Sequence, residues 1–260
     1  MSPLSIVIIL ILLYLVYYLV KMYMTDSTSL QGSLQNGQTP STISASTLAT
    51  NGTDVASTNF GYSIWIYVND WNYRYGKPKV IFGRMGSSAA SADTNVGAVD
   101  GVGGREPCPA VILGAIENNL SVFLSCYPGL DKADDSIVAD ESSSVLHKCG
   151  VSNIPIQKWV NITISVFGRT MDIYLDGKLV KTCLLPGVAK VNNGADVYVT
   201  PAGGFDGWTS KLSYYPNQLN PQDAWNIYAK GPTGLLSGLS SYHVKVSLEE
   251  NGVTASSVTL

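Results

Sequence analysis

A regular alternation of apolar and polar residues runs through the centre of the chain. In Trp159–Phe167 every second residue is a valine or an isoleucine, and the residues between them are Asn, Thr and Ser. A period of two places successive side chains on opposite faces of a β-strand. Residues 171–175 and 178–183 continue the pattern on either side of Asp176 and Gly177, a pair that favours a two-residue hairpin turn. This region is therefore predicted to form antiparallel strands.

The same alternation recurs along most of the chain between residues 59 and 231. Further strands are predicted at residues 63–68, 111–116, 120–126, 197–200 and 208–214. Asn118 and Asn119 are predicted to form the turn between the second and third of these strands. One short helix is predicted, with Asn220 as its N-cap and Pro221 at its first position. Many short strands with a single helix predict an all-β fold, an antiparallel β-sandwich or jelly roll.

The N-terminus has a different character. Residues 4–20 contain no charged residue, glycine or proline, and with the extension to Met24 the apolar segment has about twenty residues, enough to cross a hydrocarbon core of ~30 Å. A cleaved signal peptide is a poorer fit, because no Lys or Arg precedes the segment. Residues 4–24 are therefore predicted to be one transmembrane helix. Lys21, on its C-terminal flank, favours a cytosolic position for the large domain.

Residues 25–58 are rich in Ser, Thr, Gly, Gln and Asn, with Asp26 and Asp54 as the only charges. A segment of this composition buries too little apolar surface to offset the entropy of ordering it. It is predicted to be a flexible linker between the anchor and the domain. The alternative is a strap that becomes ordered along the surface of a partner.

Three blocks of the domain resemble one family, in the order that family has them. They are residues 59–71 (NFGYSIWIYVNDW), residues 157–183 (QKWVNITISVFGRTMDIYLDGKLVKTC) and residues 204–228 (GFDGWTSKLSYYPNQLNPQDAWNIY). These blocks are similar to the first core strand, the central hairpin, and the closing strand with its helix in laminin-G-like, concanavalin A-like domains. The resemblance implies a concanavalin A-like jelly roll over residues 59–231.

With its anchor and linker, the chain also resembles membrane-associated minor capsid proteins of large DNA viruses of algae and protists. In that family, minor capsid proteins link the capsid shell to an internal membrane. The resemblance implies a structural protein of the virion, a single-pass protein of an internal viral membrane. Its partners would be the lipid bilayer, through residues 4–24, and other capsid or coat proteins.

Catalysis is not expected. A retaining glycosidase needs two carboxylates ~5–5.5 Å apart, and the E-x-D-x-E arrangement of the related glucanases is absent. Neither His147 nor His243 has a Ser or Cys nucleophile beside it in a recognisable motif. The chain is therefore predicted to be non-enzymatic and to use no cofactor. Its charged fraction of 13% and net charge of −3 argue against nucleic-acid binding.

Ligand binding is the alternative function, as a cell-surface or lumenal adhesion module for glycans or proteins. The family resemblance implies binding at one rim of the domain, in some members through calcium. The calcium candidates are Asp131, Asp134, Asp135, Asp140 and Glu141. Trp71, Tyr73 and Tyr75 follow the first predicted strand and could stack on a sugar, contact a protein neighbour or cap the sandwich.

The four cysteines allow three pairings. Cys149 precedes the strand pair that Cys183 ends, so a Cys149–Cys183 bridge is predicted, with Cys108–Cys126 as its companion. Four free, buried thiols are the alternative. Asn51, Asn119 and Asn161 each begin an N-x-Ser/Thr sequon and are glycosylation candidates in a lumenal or extracellular domain.

Two further segments suggest contacts. Residues 83–109 form a Gly-, Ala- and Ser-rich insertion that is predicted to contact a neighbouring protein. In the C-terminal extension, residues 232–260, Asn251 and Gly252 predict a hairpin turn. An isolated two-stranded hairpin is marginal in water. The hairpin is therefore expected to dock on its own sandwich or to add to a neighbour's sheet.

Overall fold

Two stacked antiparallel sheets make up the folded domain. The computed structural model describes residues 11, 14–15, 28–48, 57–85, 106–128, 144–192, 194–232, 245–250 and 253–259. Within these residues, sheet A has seven strands and sheet B has six. The predicted all-β antiparallel sandwich is confirmed.

In spatial order, sheet A consists of β1 (Ser29–Gln31), β13 (Asp206–Tyr215), β4 (Phe60–Asp70), β9 (Trp159–Phe167), β10 (Thr170–Leu175) and β11 (Lys178–Leu184), and β2 (Gln35–Asn36) also pairs with β13. Sheet B consists, in spatial order, of β3 (Ser41–Ile43), β12 (Val197–Val199), β5 (Lys79–Met85), β6 (Pro107–Leu113), β7 (Asn119–Cys126) and β8 (Val145–Ser152). The predicted hairpin of β10 and β11 is confirmed. Asp176 and Gly177 both have positive φ, as a two-residue hairpin turn requires.

The central strand β9 shows how the alternating pattern is used. Its valines and isoleucines pack into the core between the two sheets. The polar residues between them are buried too, because the chain that follows β13 covers the outer face of sheet A. There the Asn161 amide nitrogen donates to Ser63 Oγ over 3.0 Å, and the Thr163 hydroxyl donates to Asn161 Oδ1 over 2.9 Å. These bonds satisfy polar groups that burial would otherwise penalise.

The predicted helix is confirmed as α1 (Pro221–Ala229), with Asn220 as its N-cap. The Asn220 side chain accepts from the Asp223 amide, and the Asp223 carboxylate accepts from the Asn220 amide. This reciprocal pair satisfies two amides that the helix leaves without partners. The helix packs on sheet A, where Tyr228 stacks on Trp65 at 5.6 Å between ring centroids.

The prediction of a flexible linker is wrong for residues 28–48. These residues form β1, β2, β3 and a 3₁₀ helix, Ala45–Leu48. We call residues 28–48 the strap. Strands β1 and β2 pair with β13 in sheet A, and β3 pairs with β12 in sheet B. Composition was a poor guide because the strap is held mainly by backbone hydrogen bonds to two sheet edges, and these bonds depend little on side-chain identity.

Besides β3 of the strap, two strands of sheet B were not predicted. Strand β5 overlaps the start of the predicted insertion at Gly83, and β8 has no clean alternation. The turn before β7 also differs, because β6 ends at Leu113 and residues 114–118 form the connection. At the C-terminus, β14 (Lys245–Glu250) and β15 (Val253–Thr259) form the predicted hairpin.

The predicted anchor, residues 4–24, lies outside the described residues except for Ile11, Tyr14 and Leu15. Within the part of the chain that the structure describes, no helix has the length and apolar character needed to cross a membrane.

Candidate binding rim

Three loops come together at one end of the sandwich, where β4, β6 and β8 end. They are residues 71–78, 114–118 and 153–158, which we call the loop rim. Hydrogen bonds connect one loop to the next: the Gly76 amide donates to Ala115 O over 2.9 Å, and the Asn153 amide donates to Asn118 O over 2.8 Å. The Asn118 side chain returns a bond to Ile154 O over 2.7 Å. These loops therefore present one pre-organised surface, which lowers the entropic cost of binding.

Trp71, for which a ligand contact, a protein contact and a capping role were all left open, supports the rim. Its indole nitrogen donates to Ile116 O over 3.1 Å, and its ring packs against the core. The Lys79 ammonium lies 4.8 Å from the centre of the same ring and 3.4 Å from Gly114 O. Burial of Lys79, and then the nearby charge of Arg74, lower the pKa of this ammonium, while Asp70 opposes them. Trp71 and Lys79 together hold the second loop in place.

The two tyrosines of the first loop have different environments. Tyr73 is half-buried, and a Cβ added to Gly203 would lie 3.4 Å from its hydroxyl. The neighbouring Arg74 guanidinium donates to Ala202 O, which fixes the first loop against the 3₁₀ helix Pro201–Gly203. Tyr75 is exposed. Of the three predicted aromatics, only Tyr75 offers most of its side chain to a ligand.

Two apolar side chains at the rim were not predicted. Tyr75, Ile116 and Ile156 are 60%, 59% and 43% exposed, one from each loop. Ile116 was assigned to a strand, but the strand stops earlier because the chain turns tightly at Gly114. A Cβ there would lie 2.2 Å from Asn119 Oδ1. The signal was Gly114 itself, since a glycine inside an apolar run often marks close approach of backbone.

A shallow recess of about 260 Å³ opens beside the rim on the outer face of sheet B. Its apolar floor includes Ile112 and Phe123, and its polar groups come from Glu117, Asn119, Ser121 and Lys148. The Lys148 ammonium lies 5.4 Å from the centre of the Phe123 ring. Apolar surface with a few convergent donors and acceptors is typical of small-ligand sites. The recess has a carboxylate, an amide, a hydroxyl and an ammonium, which suits a ligand rich in hydroxyl groups.

The cysteines behave in two ways. Cys149 on β8 and Cys183 on β11 form a disulfide across the edges of the two sheets. The predicted Cys108–Cys126 bridge is absent, and both thiols are free and buried. The register of β6 with β7, continued past Ala110 and Phe123, would set Cys108 opposite Ser125 rather than Cys126. Burial raises the pKa of Cys108 to about 12 and that of Cys126 to about 11, so neither thiol is an effective nucleophile near neutral pH.

The structure bears on two of the three glycosylation candidates. Asn161 is fully buried and its amide is used in hydrogen bonds, so the prediction of a glycan there is wrong for the folded domain. Asn119 is partly exposed, and its amide nitrogen lies 3.4 Å from Glu117 Oε2. Asn51 lies outside the described residues.

The calcium candidates, Asp131, Asp134, Asp135, Asp140 and Glu141, lie outside the described residues as well. The strand ends on either side of them, Cys126 and Val145, are at the opposite end of the sandwich from the loop rim. Across the ranges that the structure does describe, no group of three His, Cys, Asp or Glu side chains could hold a metal ion.

Comparisons with known proteins bear on the fold. No protein-family model and no curated protein matches the chain. Two solved structures with similar folds are a crystal structure of an HCR/D mutant and that of the receptor binding domain of botulinum neurotoxin C/D mosaic serotype. Each is 11% identical with a TM-score of 0.50, over 75% and 78% of this chain respectively. The matches span 42% and 46% of those structures, less than half of either. At this identity the similarity shows the fold alone, a two-sheet antiparallel β-sandwich.

Proposed function

We propose that this chain is a non-enzymatic binding module that recognises a glycan through the loop rim. The observation that carries the proposal is the rim itself. Tyr75, Ile116 and Ile156 are held outward by bonded loops, beside a recess with convergent polar groups. An exposed tyrosine ring offers an apolar face to the C–H groups of a sugar, while the recess offers donors and acceptors to its hydroxyls.

The fold is compatible with such a function. One of the two similar structures is a receptor binding domain, of which the match spans 46%, so a sandwich of this kind occurs within a protein that serves recognition. In this chain the recognition surface would be the loop rim. A cell-surface or lumenal location would accompany this function.

Polar groups that could have served catalysis are engaged elsewhere or poorly reactive. The Asp206 carboxylate accepts from the side-chain amides of Gln38 and Asn69, over 2.8 Å in each case. At the end of the sandwich opposite the rim, the buried thiols of Cys108 and Cys126 stay protonated near neutral pH. These assignments support a module that binds its ligand without transforming it.

A glycan array tests the proposal. The full-length chain in detergent is applied to a broad panel of immobilised glycans, beside a Tyr75→Ala variant and a Phe167→Ala control. Phe167 is a comparably exposed aromatic at the other end of the sandwich. The proposal expects saturable binding that Tyr75→Ala reduces at least tenfold and Phe167→Ala leaves unchanged. Absence of saturable glycan binding, or equal loss in both variants, would reject it.

The second candidate is the linker between a viral capsid shell and the membrane beneath it. The observation that favours it is the short distance between the predicted anchor and the ordered strap. The anchor is predicted to end at Met24 and β1 begins at Ser29, so residues 25–28 span at most ~14 Å. A short connection holds a domain at a defined distance from a bilayer, as a shell-to-membrane linker requires.

Two observations distinguish the candidates. Protease digestion of sealed membranes that carry the full chain reports which side the domain occupies. Cytosolic digestion without a glycan shift, together with stoichiometric assembly with coat proteins, would favour the linker. Protection of the domain with a glycosidase-sensitive shift would favour the glycan-binding module.

A further inference from the structure

Strand β11 leaves one edge of sheet A open. It pairs with β10, and no other described strand pairs with its far side. Six of its seven residues are exposed. An unpaired edge of this length presents a row of backbone donors and acceptors to any extended segment that reaches it.

The side chains around this edge are apolar and basic. Leu179, Val180 and Leu184 are 51%, 43% and 70% exposed, and Val145 and Leu146 on the adjacent β8 are also exposed. Lys178 and Lys181 lie on the same strand and are exposed. Lysines on an edge discourage indiscriminate pairing, but they favour an acidic strand.

The C-terminal hairpin is a strand pair without a sheet, and its charged residues are Lys245, Glu249 and Glu250. In the described topology β14 and β15 pair only with each other. Two strands alone are marginally stable in water and need a third strand or a packing surface. Strand β14 ends in Glu249 and Glu250, which complement the two lysines of β11.

The chain is long enough to bring the hairpin to this edge. Pro232, just before the connector, lies beside β13, where its carbonyl accepts from Ser210 Oγ over 2.7 Å. Four inter-strand spacings separate β13 from β11 in sheet A, a distance of ~19 Å. The connector of residues 233–244 reaches up to ~40 Å. A tether of this length also gives the hairpin a high effective concentration at its own domain.

We propose that the hairpin of the same chain docks on the open edge of β11, with β14 as the added strand. Docking extends sheet A, covers Leu179, Val180 and Leu184, and places Glu249 and Glu250 beside Lys178 and Lys181. The hairpin gains the third strand that it lacks, and the edge loses its exposed backbone groups. This inference concerns a side of the sandwich, and it stands independently of ligand binding at the loop rim.

Hydrogen exchange of the full-length chain, measured by mass spectrometry, tests the docking. The comparison is with a Leu248→Pro variant, because proline in β14 removes a backbone donor and blocks strand pairing. The backbone amides of residues 178–184 that face away from β10 should exchange at least tenfold faster in the variant than in the unmodified chain. Unchanged exchange of β9 amides in both proteins shows that the sandwich remains folded.

Charge variants sharpen the same test. Lys181→Glu should also speed exchange at residues 178–184, and adding Glu250→Lys should restore protection. Lys77→Glu, which makes the same charge change on an exposed residue of the loop rim, is the matched control and should have no effect on these amides. Equal exchange in the unmodified chain and Leu248→Pro would overturn the proposal. Protection that rises with protein concentration, together with a dimer by light scattering, would also overturn it, because the occupant would then be a second copy.

Discussion

The two flanks of the sandwich, where the edges of sheets A and B face each other, are closed by different means. On one flank the strap lies along the edges of β13 and β12 and is held by hydrogen bonds. On the other flank the edges β11 and β8 are joined by the Cys149–Cys183 disulfide, and their side chains remain largely exposed. The first flank is covered by backbone, whereas the second is cross-linked but left accessible.

This difference separates two requirements of an edge strand. An edge needs partners for its backbone, and the sandwich needs resistance to the separation of its sheets. The strap meets the first requirement over parts of β13 and β12, through close backbone approach at glycines. The disulfide meets the second requirement and leaves the backbone edge of β11 available for another strand. Variants that weaken one flank should therefore differ in kind from variants that weaken the other.

The largest effect is expected at the strap flank, from Gly207→Ala. A Cβ at Gly207 would lie 1.8 Å from the carbonyl oxygen of Tyr67, and the Gly207 carbonyl accepts from the Gly37 amide of the strap. Relief of this clash must displace β13 or the strap, so we expect a loss of about 4 kcal/mol in the free energy of unfolding. Urea denaturation measures it. Gly168→Ala, also at positive φ but with open space around it, should cost only about 1 kcal/mol.

A slightly smaller effect is expected at the other flank, from the paired change Cys149→Ala and Cys183→Ala. The bridge closes a loop with a sequence separation of 34 residues, and its removal should lower the free energy of unfolding by about 3.5 kcal/mol. Thermal denaturation with and without reductant provides the measurement. Reductant should destabilise the unmodified protein and leave the variant unchanged. If reductant does not change the unfolding midpoint of either protein, the claim that a disulfide stabilises this flank is contradicted.

Thr200 tests how tightly the strap is held. Its backbone has φ 46°, an unfavourable value for a β-branched residue, and its hydroxyl donates to Thr39 O in the strap over 2.8 Å. Thr200→Val keeps the unfavourable φ and removes the hydrogen bond to Thr39, so it should destabilise the domain by about 1 kcal/mol. Thr200→Gly removes the same hydrogen bond but also relieves the unfavourable φ. Its free energy of unfolding should therefore stay within about 0.5 kcal/mol of that of the unmodified protein. Equal effects of the two changes in chemical denaturation would show that the positive φ costs nothing, and an unchanged stability of Thr200→Val would show that the hydrogen bond contributes nothing.

The smallest effect concerns the segment that follows β11. The Lys190 ammonium lies 2.9 Å from Glu106 Oε1, and Ser144 also donates to this carboxylate. Burial alone would raise the pKa of Glu106, but these hydrogen bonds outweigh it and hold the pKa below its usual value. The resulting stability is present above the unfolded pKa and is lost as pH falls below about 5 through the folded pKa. Because the pair is partly exposed, Glu106→Gln should remove less than about 0.5 kcal/mol at pH 7. Denaturation curves at pH 7 and pH 3 should differ less in the variant than in the unmodified protein.

Some of this architecture follows directly from the residues. The hairpin of β10 and β11 is local, because the alternation and the turn at Asp176 and Gly177 lie within a dozen residues of each other. The cap of α1 is local as well, since Asn220 and Asp223 satisfy each other's amides. In both cases the decisive interactions join residues close together in the chain.

The strap and the rim could not be predicted in this way. The strap becomes ordered only against sheet edges formed by residues more than a hundred positions away. The composition of the strap itself gives no indication of those edges. The exposure of Ile116 and Ile156 depends on three loops that meet only after the sandwich has formed. Trp71 was a sound choice as a functional aromatic, but its environment, beneath Ile116 and against Lys79, gives it a supporting role.

Nuclear magnetic resonance mapping of the bound ligand tests the central claim, that the loop rim is the recognition surface, most directly. The glycan that binds best on the array is titrated into the full-length chain in detergent while backbone amide shifts are recorded. The account predicts saturable shifts confined to residues 71–78, 114–118 and 153–158 and to the adjoining recess at Ser121 and Lys148. Shifts confined to the opposite end of the sandwich, or to the β11 and β8 edges, would contradict it.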